Sequence, residues 1–295
     1  MTPTSLHRLA ALAALALAVL PTTARAKVGP DQIANGADGA MAGFLPPPGV
    51  YFLNNLAYVQ GTRHDASGRE VVTPGGTPGV SGVGETVRLV WVSDRKVLGG
   101  HFAMQVVLPF TRTEFNAAAG TPSRAYGGMG DVQLAPAMLG WHLGARTHLW
   151  AMVGIFVPIG GAQLSAGYAS LTPALLGTHV FATGTEVSGK LAYNLKAVNP
   201  TTQYESGDEF LTDFFVGQRV GTWTLGLGGY FVAQTTPDRN QGDRVNGTWT
   251  RGLGLGPQVT YRIGQTGLAL LWDRDLIAEN RFKGDRVIFK IFQPL

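Results

Sequence analysis

The chain has no cysteine, and only 14% of its 295 residues are charged. The first absence excludes a disulfide scaffold, thiolate zinc sites and thiol catalysis. The second falls well below the ~25% of an ordinary globular domain, although hydrophobic residues reach 45%. Beyond Leu9–Leu20 no stretch approaches the ~18 apolar residues of a helical membrane span. Neither G-x-S-x-G nor H-E-x-x-H occurs, so no catalytic centre, metal or cofactor is expected. Few charges, much apolar surface and no spanning helix together point to a closed β-barrel with an apolar outside and a polar inside.

Residues 1–26 read as a signal peptide. His7 and Arg8 begin it, LAALAALALAVL (Leu9–Leu20) forms its apolar region, and Ala24-Arg25-Ala26 is an A-x-A cleavage site. Cleavage after Ala26 leaves 269 of the 295 residues, enough for one all-β domain. The loss of Arg8 and Arg25 leaves 21 bases against 19 acids. That near balance points to neither nucleic acid nor acidic partners.

Residues 27–48 are rich in glycine and proline and lack periodicity. They read as a periplasmic lead-in or a lumen plug, with Pro46-Pro47-Pro48 forcing an extended approach to the first strand. Residues 49–295 then fall into twelve strand-like segments: 49–60, 85–93, 99–111, 131–142, 147–159, 171–182, 186–198, 208–219, 223–234, 248–262, 267–276 and 283–292. Most have the ~9–11 residues of a tilted membrane strand. Short connections at Ser93–Leu98, Leu143–Thr147, Thr183–Thr185, Val220–Thr222 and Ile263–Thr266 alternate with long polar ones at Gly61–Gly84, Arg112–Gly130, Gly160–Ser170, Asn199–Gly207 and Thr235–Gly247. The expected architecture is therefore all-β: a transmembrane antiparallel up-and-down barrel in the bacterial outer membrane, with tight turns at one rim and long loops at the other.

Period-two alternation assigns faces. On the third segment Phe102, Met104, Val106, Leu108 and Phe110 oppose His101, Ala103, Gln105, Val107 and Thr111. On the seventh, Val187, Leu191, Tyr193 and Leu195 oppose Glu186, Ser188, Lys190, Asn194 and Lys196. On the twelfth, Val287, Phe289 and Ile291 oppose Arg286 and Lys290. Segments five and six are apolar on both faces, which leaves their register open. Tyr51, Phe52, Trp91, Trp141, Trp150, Trp223, Tyr230, Trp249, Tyr261 and Trp272 cluster near segment ends, as interfacial girdles would. Gly226 and Gly228, and Gly252, Gly254 and Gly256, each share one face, where they would widen a small lumen or seat a plug.

By the same parity Arg88, Glu186, Lys190, Lys196, Asp213, Arg219, Arg262, Asp273, Asp275, Arg286 and Lys290 face inward, as a charge network or a selectivity lining, with Asp213 as the expected centre. His142 and His148 flank one short turn, with no carboxylate nearby in sequence to complete a metal site.

Several segments in order resemble the outer-membrane family named for the meta-pathway of phenol degradation. They are GFLPPPGVYFLNNLAYVQG (43–61), GMGDVQLAP (128–136), the stretch 207–238 with Gly207-Asp208-Glu209-Phe210, Asp213, Gly228-Gly229-Tyr230 and Gln234-Thr235, and GLGPQVTYR (254–262). The resemblance covers most of residues 43–292. It implies an outer-membrane barrel that carries aromatic or other small hydrophobic molecules, with outer-membrane lipid, the barrel assembly machinery and the solute as partners. Such barrels usually end in an aromatic residue read by that machinery, whereas this chain ends Phe292-Gln293-Pro294-Leu295. The expected function is an uptake barrel for small hydrophobic solutes by passive diffusion. The alternative is a structural or surface-binding barrel with a closed lumen and no transport.

Overall fold

Alternating side chains give a sheet one apolar and one polar face, and rolling the sheet into a ring hides the polar face without leaving an edge. The computed structural model, which describes residues 31–116, 123–161 and 163–295, has this form. The signal peptide and residues 27–30 lie outside the described residues. The strands are β1 (Gly49–Arg63), β2 (Gly79–Val97), β3 (Gly100–Asn116), β4 (Arg124–Met129), β5 (Val132–His142), β6 (Thr147–Val157), β7 (Ser170–Val180), β8 (Thr185–Lys196), β9 (Tyr204–Glu205), β10 (Glu209–Val220), β11 (Trp223–Gln234), β12 (Arg239–Asn240), β13 (Asp243–Arg244), β14 (Arg251–Ile263), β15 (Thr266–Glu279) and β16 (Phe282–Pro294). Twelve of them form the wall in the order β1-β2-β3-β5-β6-β7-β8-β10-β11-β14-β15-β16, every neighbour antiparallel. β1 returns to β16 in a register running from Tyr51↔Pro294 to Arg63↔Phe282, which closes the ring. β4 pairs with the far end of β3 as a thirteenth strand, and β9, β12 and β13 form a small sheet in the loops. The fold is thus a transmembrane antiparallel up-and-down β-barrel.

The turn rim uses tight hairpins. Leu98 (φ 51) and Gly99 (φ 78) are both left-handed, the conformation that matches the right-handed twist of the flanking strands. At the loop rim β1, β2 and β3 are longer than their sequence suggests. The expected loop Gly61–Gly84 is reduced to residues 64–78, and much of Arg112–Gly130 is strand. Gly79, Gly82 and Gly84 lie in β2, and a residue without a side chain adds nothing to a hydropathy alternation.

The assigned faces hold in β3, β8 and β16. In β8, Val187, Leu191 and Leu195 are exposed on the outer face, whereas Glu186, Ser188, Lys190, Asn194 and Lys196 are buried within. The structure also settles expected segments five and six, now β6 and β7. Trp150, Met152 and Phe156 of β6, and Thr172, Ala174, Leu176 and Thr178 of β7, share the inward parity. Three aromatic residues expected in the girdles instead face the lumen: Tyr51, Trp150 and Tyr230. Each buried polar tip has a partner there. Tyr51 Oη donates to Pro47 O (2.7 Å), Trp150 Nε1 to Ala42 O (2.6 Å) and Tyr230 Oη to Asp275 Oδ1 (2.6 Å).

Candidate functional site: a strapped lumen beneath an open vestibule

Residues 31–48 run through the lumen from the loop rim to the start of β1. An aperiodic segment cannot satisfy its own amides, so the wall must do it. Asp213 Oδ1 accepts from Gly36 N (2.9 Å) and Oδ2 from Asp38 N (3.0 Å). Glu186 accepts from Met41 N, and Thr178 Oγ1 from Gly43 N (2.9 Å). Segment carbonyls receive wall cations: Lys290 Nζ donates to Ala37 O (2.6 Å) and Arg286 to Asn35 O. Near the loop rim Gln32 reaches Asp131 and Ser170, and Asp31 pairs with Arg281.

Glycine permits this close approach. A Cβ at Gly39 would stand 2.0 Å from Gln258 Oε1, one at Gly43 2.3 Å from the Gly177 carbonyl carbon, and one at Gly254 2.4 Å from the Tyr230 ring. The inward Gly226, Gly228, Gly252, Gly254 and Gly256 belong to β11 and β14, the same side of the barrel.

The inward charges gather into clusters. Lys190 Nζ lies 2.7 Å from Asp213 Oδ2 and 2.9 Å from Asp38 Oδ2, and Arg88 is 3.9 Å from Asp38 Oδ1. Asp213 is 1% and Lys190 5% exposed. Arg219 pairs with Glu186 at 2.7 Å, and Lys196 with Glu209 at 2.8 Å. Asp275 takes the Tyr230 hydroxyl and Gly284 N (3.1 Å), while Arg286 stacks over Tyr230 at 4.9 Å. Asp273 is buried, and neither carboxylate oxygen has a donor among the described residues. Arg262 departs from the expectation. It shares the inward parity of β14, but one residue from the strand end it is exposed at the turn rim, outside the network. Parity would also have found Glu209, four residues before Asp213 on the same face. Asp31 and Asp38 carry no such signal, because their segment has no period.

His142 Nδ1 and His148 Nδ1 are 2.8 Å apart across the β5–β6 hairpin, with Phe44 packed on both rings. Among the described residues no group of three or more metal-ligating side chains occurs.

Two features define the space. In the turn half, Tyr51, Val90, Val92, Met138, Trp150 and Leu176 pack with Leu45 into an apolar seal across the lumen. Above it lies a vestibule of about 730 Å³. It reaches the loop rim at Arg63, Phe115 and Tyr126 and descends to Arg88, Lys190 and Met152. Its wall is β16, β1, β2 and β3, with parts of β6, β7 and β8 and single residues of β4, β5 and β15 (Tyr126, Gln133, Asp275); no residue of β10, β11 or β14 lines it, and residues 31–38 form its other side.

A closed ring of spanning strands with an apolar exterior and a partly open polar interior defines a transmembrane barrel protein. The chain belongs to the family described as "Putative MetA-pathway of phenol degradation", whose family model matches residues 60–291. Among solved structures it is similar to an outer membrane channel from Pseudomonas putida F1: TM-score 0.76 at 16% identity, covering 90% of this chain and 100% of that one. It is also similar to the beta domain of the Bordetella autotransporter BrkA: TM-score 0.53 at 9% identity, covering 84% of this chain and 100% of that one. No curated protein matches the chain significantly.

Proposed function

We propose that the protein is an outer-membrane uptake barrel that admits small hydrophobic solutes, aromatic ones among them, by passive diffusion. The vestibule carries the reading. Its volume of about 730 Å³ falls within the range of small-molecule sites, ~300–1,000 Å³. Its lining sets the inward Phe115, Phe156 and Phe282 beside a few fixed charges, which suits an apolar body with a polar end. The family assignment and the likeness to a channel fold support the same reading. The loop rim is then the cell exterior, and axial passage requires residues 31–48 to move.

Liposome swelling and single-channel recording test it, with the intact protein and with a form lacking residues 27–48. Solute passage is expected in both, faster in the trimmed form. Passage in neither overturns the proposal. The apolar seal favours a second reading, a structural barrel with a closed lumen, which predicts that second outcome.

A further inference from the structure

The charges that line the vestibule are matched almost throughout. Asp31 pairs with Arg281, Asp38 with Lys190 at 2.9 Å, and Asp285 with Arg274 at 3.2 Å. Asp131 accepts from Ala166 N (2.9 Å) and Asp275 from the Tyr230 hydroxyl. Among the cations Arg88 approaches Asp38, and Arg286 donates to Asn35 O. Arg63, the last residue of β1, is different. It is half-buried on the inward parity of that strand, and among the described residues its guanidinium has no carboxylate partner. An ionised group drawn part-way out of water without a counter-charge is costly, and nearby Arg281 adds a like charge.

What surrounds Arg63 is aromatic. Its guanidinium lies over the Phe282 ring, 5.7 Å from the centroid. Phe115 is 6.1 Å from Phe282 and 6.2 Å from Tyr126, so rings from β3, β4 and β16 gather at the vestibule mouth. A ring against the guanidinium face attracts its charge but occupies none of its in-plane N–H donors. Those donors form a planar fork that fits a carboxylate with two parallel bonds. One spare positive charge balances one negative charge. Arg281 is already committed to Asp31, so no second spare charge stands beside it for a dianion.

We infer that the vestibule mouth reads a carboxylate: Arg63 binds the head of an aryl or short alkyl monocarboxylate, and Phe115, Tyr126 and Phe282 hold its apolar body. This rests on the transport reading above and names what the solute carries. A neutral molecule of the same shape gains the ring contacts but leaves Arg63 unmatched. The acid is therefore favoured at the entrance. Below it the other lining charges already have partners, so Arg63 is the residue that sets the preference.

The test compares an acid with its neutral amide, 2-naphthoate with 2-naphthamide, by isothermal titration of the intact protein in nanodiscs near neutral pH, with empty nanodiscs as the blank. Folding of each variant is verified by heat-modifiable migration. The unmodified protein is expected to bind the acid at least tenfold more tightly than the amide. Arg63→Gln is expected to bring the two within twofold by weakening the acid and leaving the amide unchanged. Arg63→Lys keeps the charge without the fork and should retain part of the preference. Arg69→Gln, at an exposed rim arginine 3.5 Å from Asp65, should leave the preference within twofold. If Arg69→Gln abolishes it as well, a diffuse rim potential is responsible and Arg63 is not the reader. If the unmodified protein binds both probes equally, or the preference survives in Arg63→Gln, the carboxylate site is wrong and the transport reading stands. If neither probe binds the unmodified protein, the vestibule is no solute site and the transport reading falls with it.

Discussion

Asp213 can be removed with a calculable effect on the luminal segment. Its carboxylate accepts two segment amides and the Lys190 ammonium, all within 3.0 Å, at a site 1% exposed. Asp213→Ala leaves Lys190 with Asp38 alone and strips acceptors from Gly36 N and Asp38 N. Breaking a buried pair from one side costs ~3–5 kcal/mol. The barrel ladders do not depend on that side chain, since β10 keeps its register with β8 and β11 through backbone bonds. The cost therefore falls on seating of residues 31–48 and shifts their bound-to-released ratio by roughly 10²–10⁴, at 1.4 kcal/mol per factor of ten. Asp213→Asn keeps one acceptor oxygen and should fall between. Planar-bilayer recording would show more frequent or larger conductance in Asp213→Ala, and limited proteolysis would cut within 31–48. Unchanged conductance and protection, with a lowered melting temperature of the barrel, would refute the reasoning and make Asp213 a wall residue only.

Tyr51→Phe removes the bond to Pro47 O at a cost of ~1 kcal/mol, while Tyr51→Ala also empties the stack on Phe292 (5.5 Å between centroids), at ~3–5 kcal/mol; only the alanine variant should raise single-channel conductance by breaching the seal. Leu191→Arg puts a charge on the lipid face of β8 and should destabilise the barrel by up to ~2–4 kcal/mol in urea unfolding from vesicles, whereas Tyr204→Phe, in the loop sheet, should not shift the midpoint comparably. In the first loop the Ser67 hydroxyl, then the Arg69 and Ser67 amides, hold the Asp65 carboxyl down at about 2. The folded value lies below the ordinary carboxylate value, so the turn is stabilised above about pH 4 and loses that support as pH falls through about 2. A carbon-detected NMR titration of Asp65 with an ordinary midpoint near 4 would contradict this.

The wall was legible in the sequence wherever alternation carried chemical contrast. Val187, Leu191 and Leu195 against Glu186, Lys190 and Lys196 leave β8 one way to face lipid. Where the contrast vanished, so did the signal. Glycines concealed the extension of β2, and Met152 and Ala174 look as apolar as their lipid-facing neighbours. Tyr51, Trp150 and Tyr230 misled for a different reason. An amphipathic ring suits an interface or a lumen equally, and only the carbonyl or carboxylate waiting inside decides between them. Glu209 obeyed the parity rule. Asp31 and Asp38 could not, because their places are set by the wall rather than by a repeat of their own.

The division of the lumen follows from where hydrogen-bond partners are. Between residues 35 and 43 the segment's backbone bonds go to β6, β7, β8, β10 and β16, through Trp150, Thr178, Glu186, Asp213, Arg286 and Lys290. The β1–β3 wall contributes Arg88, 3.9 Å from Asp38. A segment rich in backbone amides must lie where acceptors are, and the glycines of β11 and β14 let it lie close. The open volume then lies on the opposite side, against β1, β2 and β3, where Arg88 is the wall's charged partner for residues 35–43 and the next polar contact, Tyr51 with Pro47, comes lower down. Depth is decided separately. Below Arg88 the inward residues of β2 become Val90 and Val92, and those of β1 become Leu53 and Tyr51, so the lumen closes by apolar packing rather than by the segment alone. Releasing the segment also withdraws Leu45 from the seal, so the two barriers share a residue and either change alone widens the axial path.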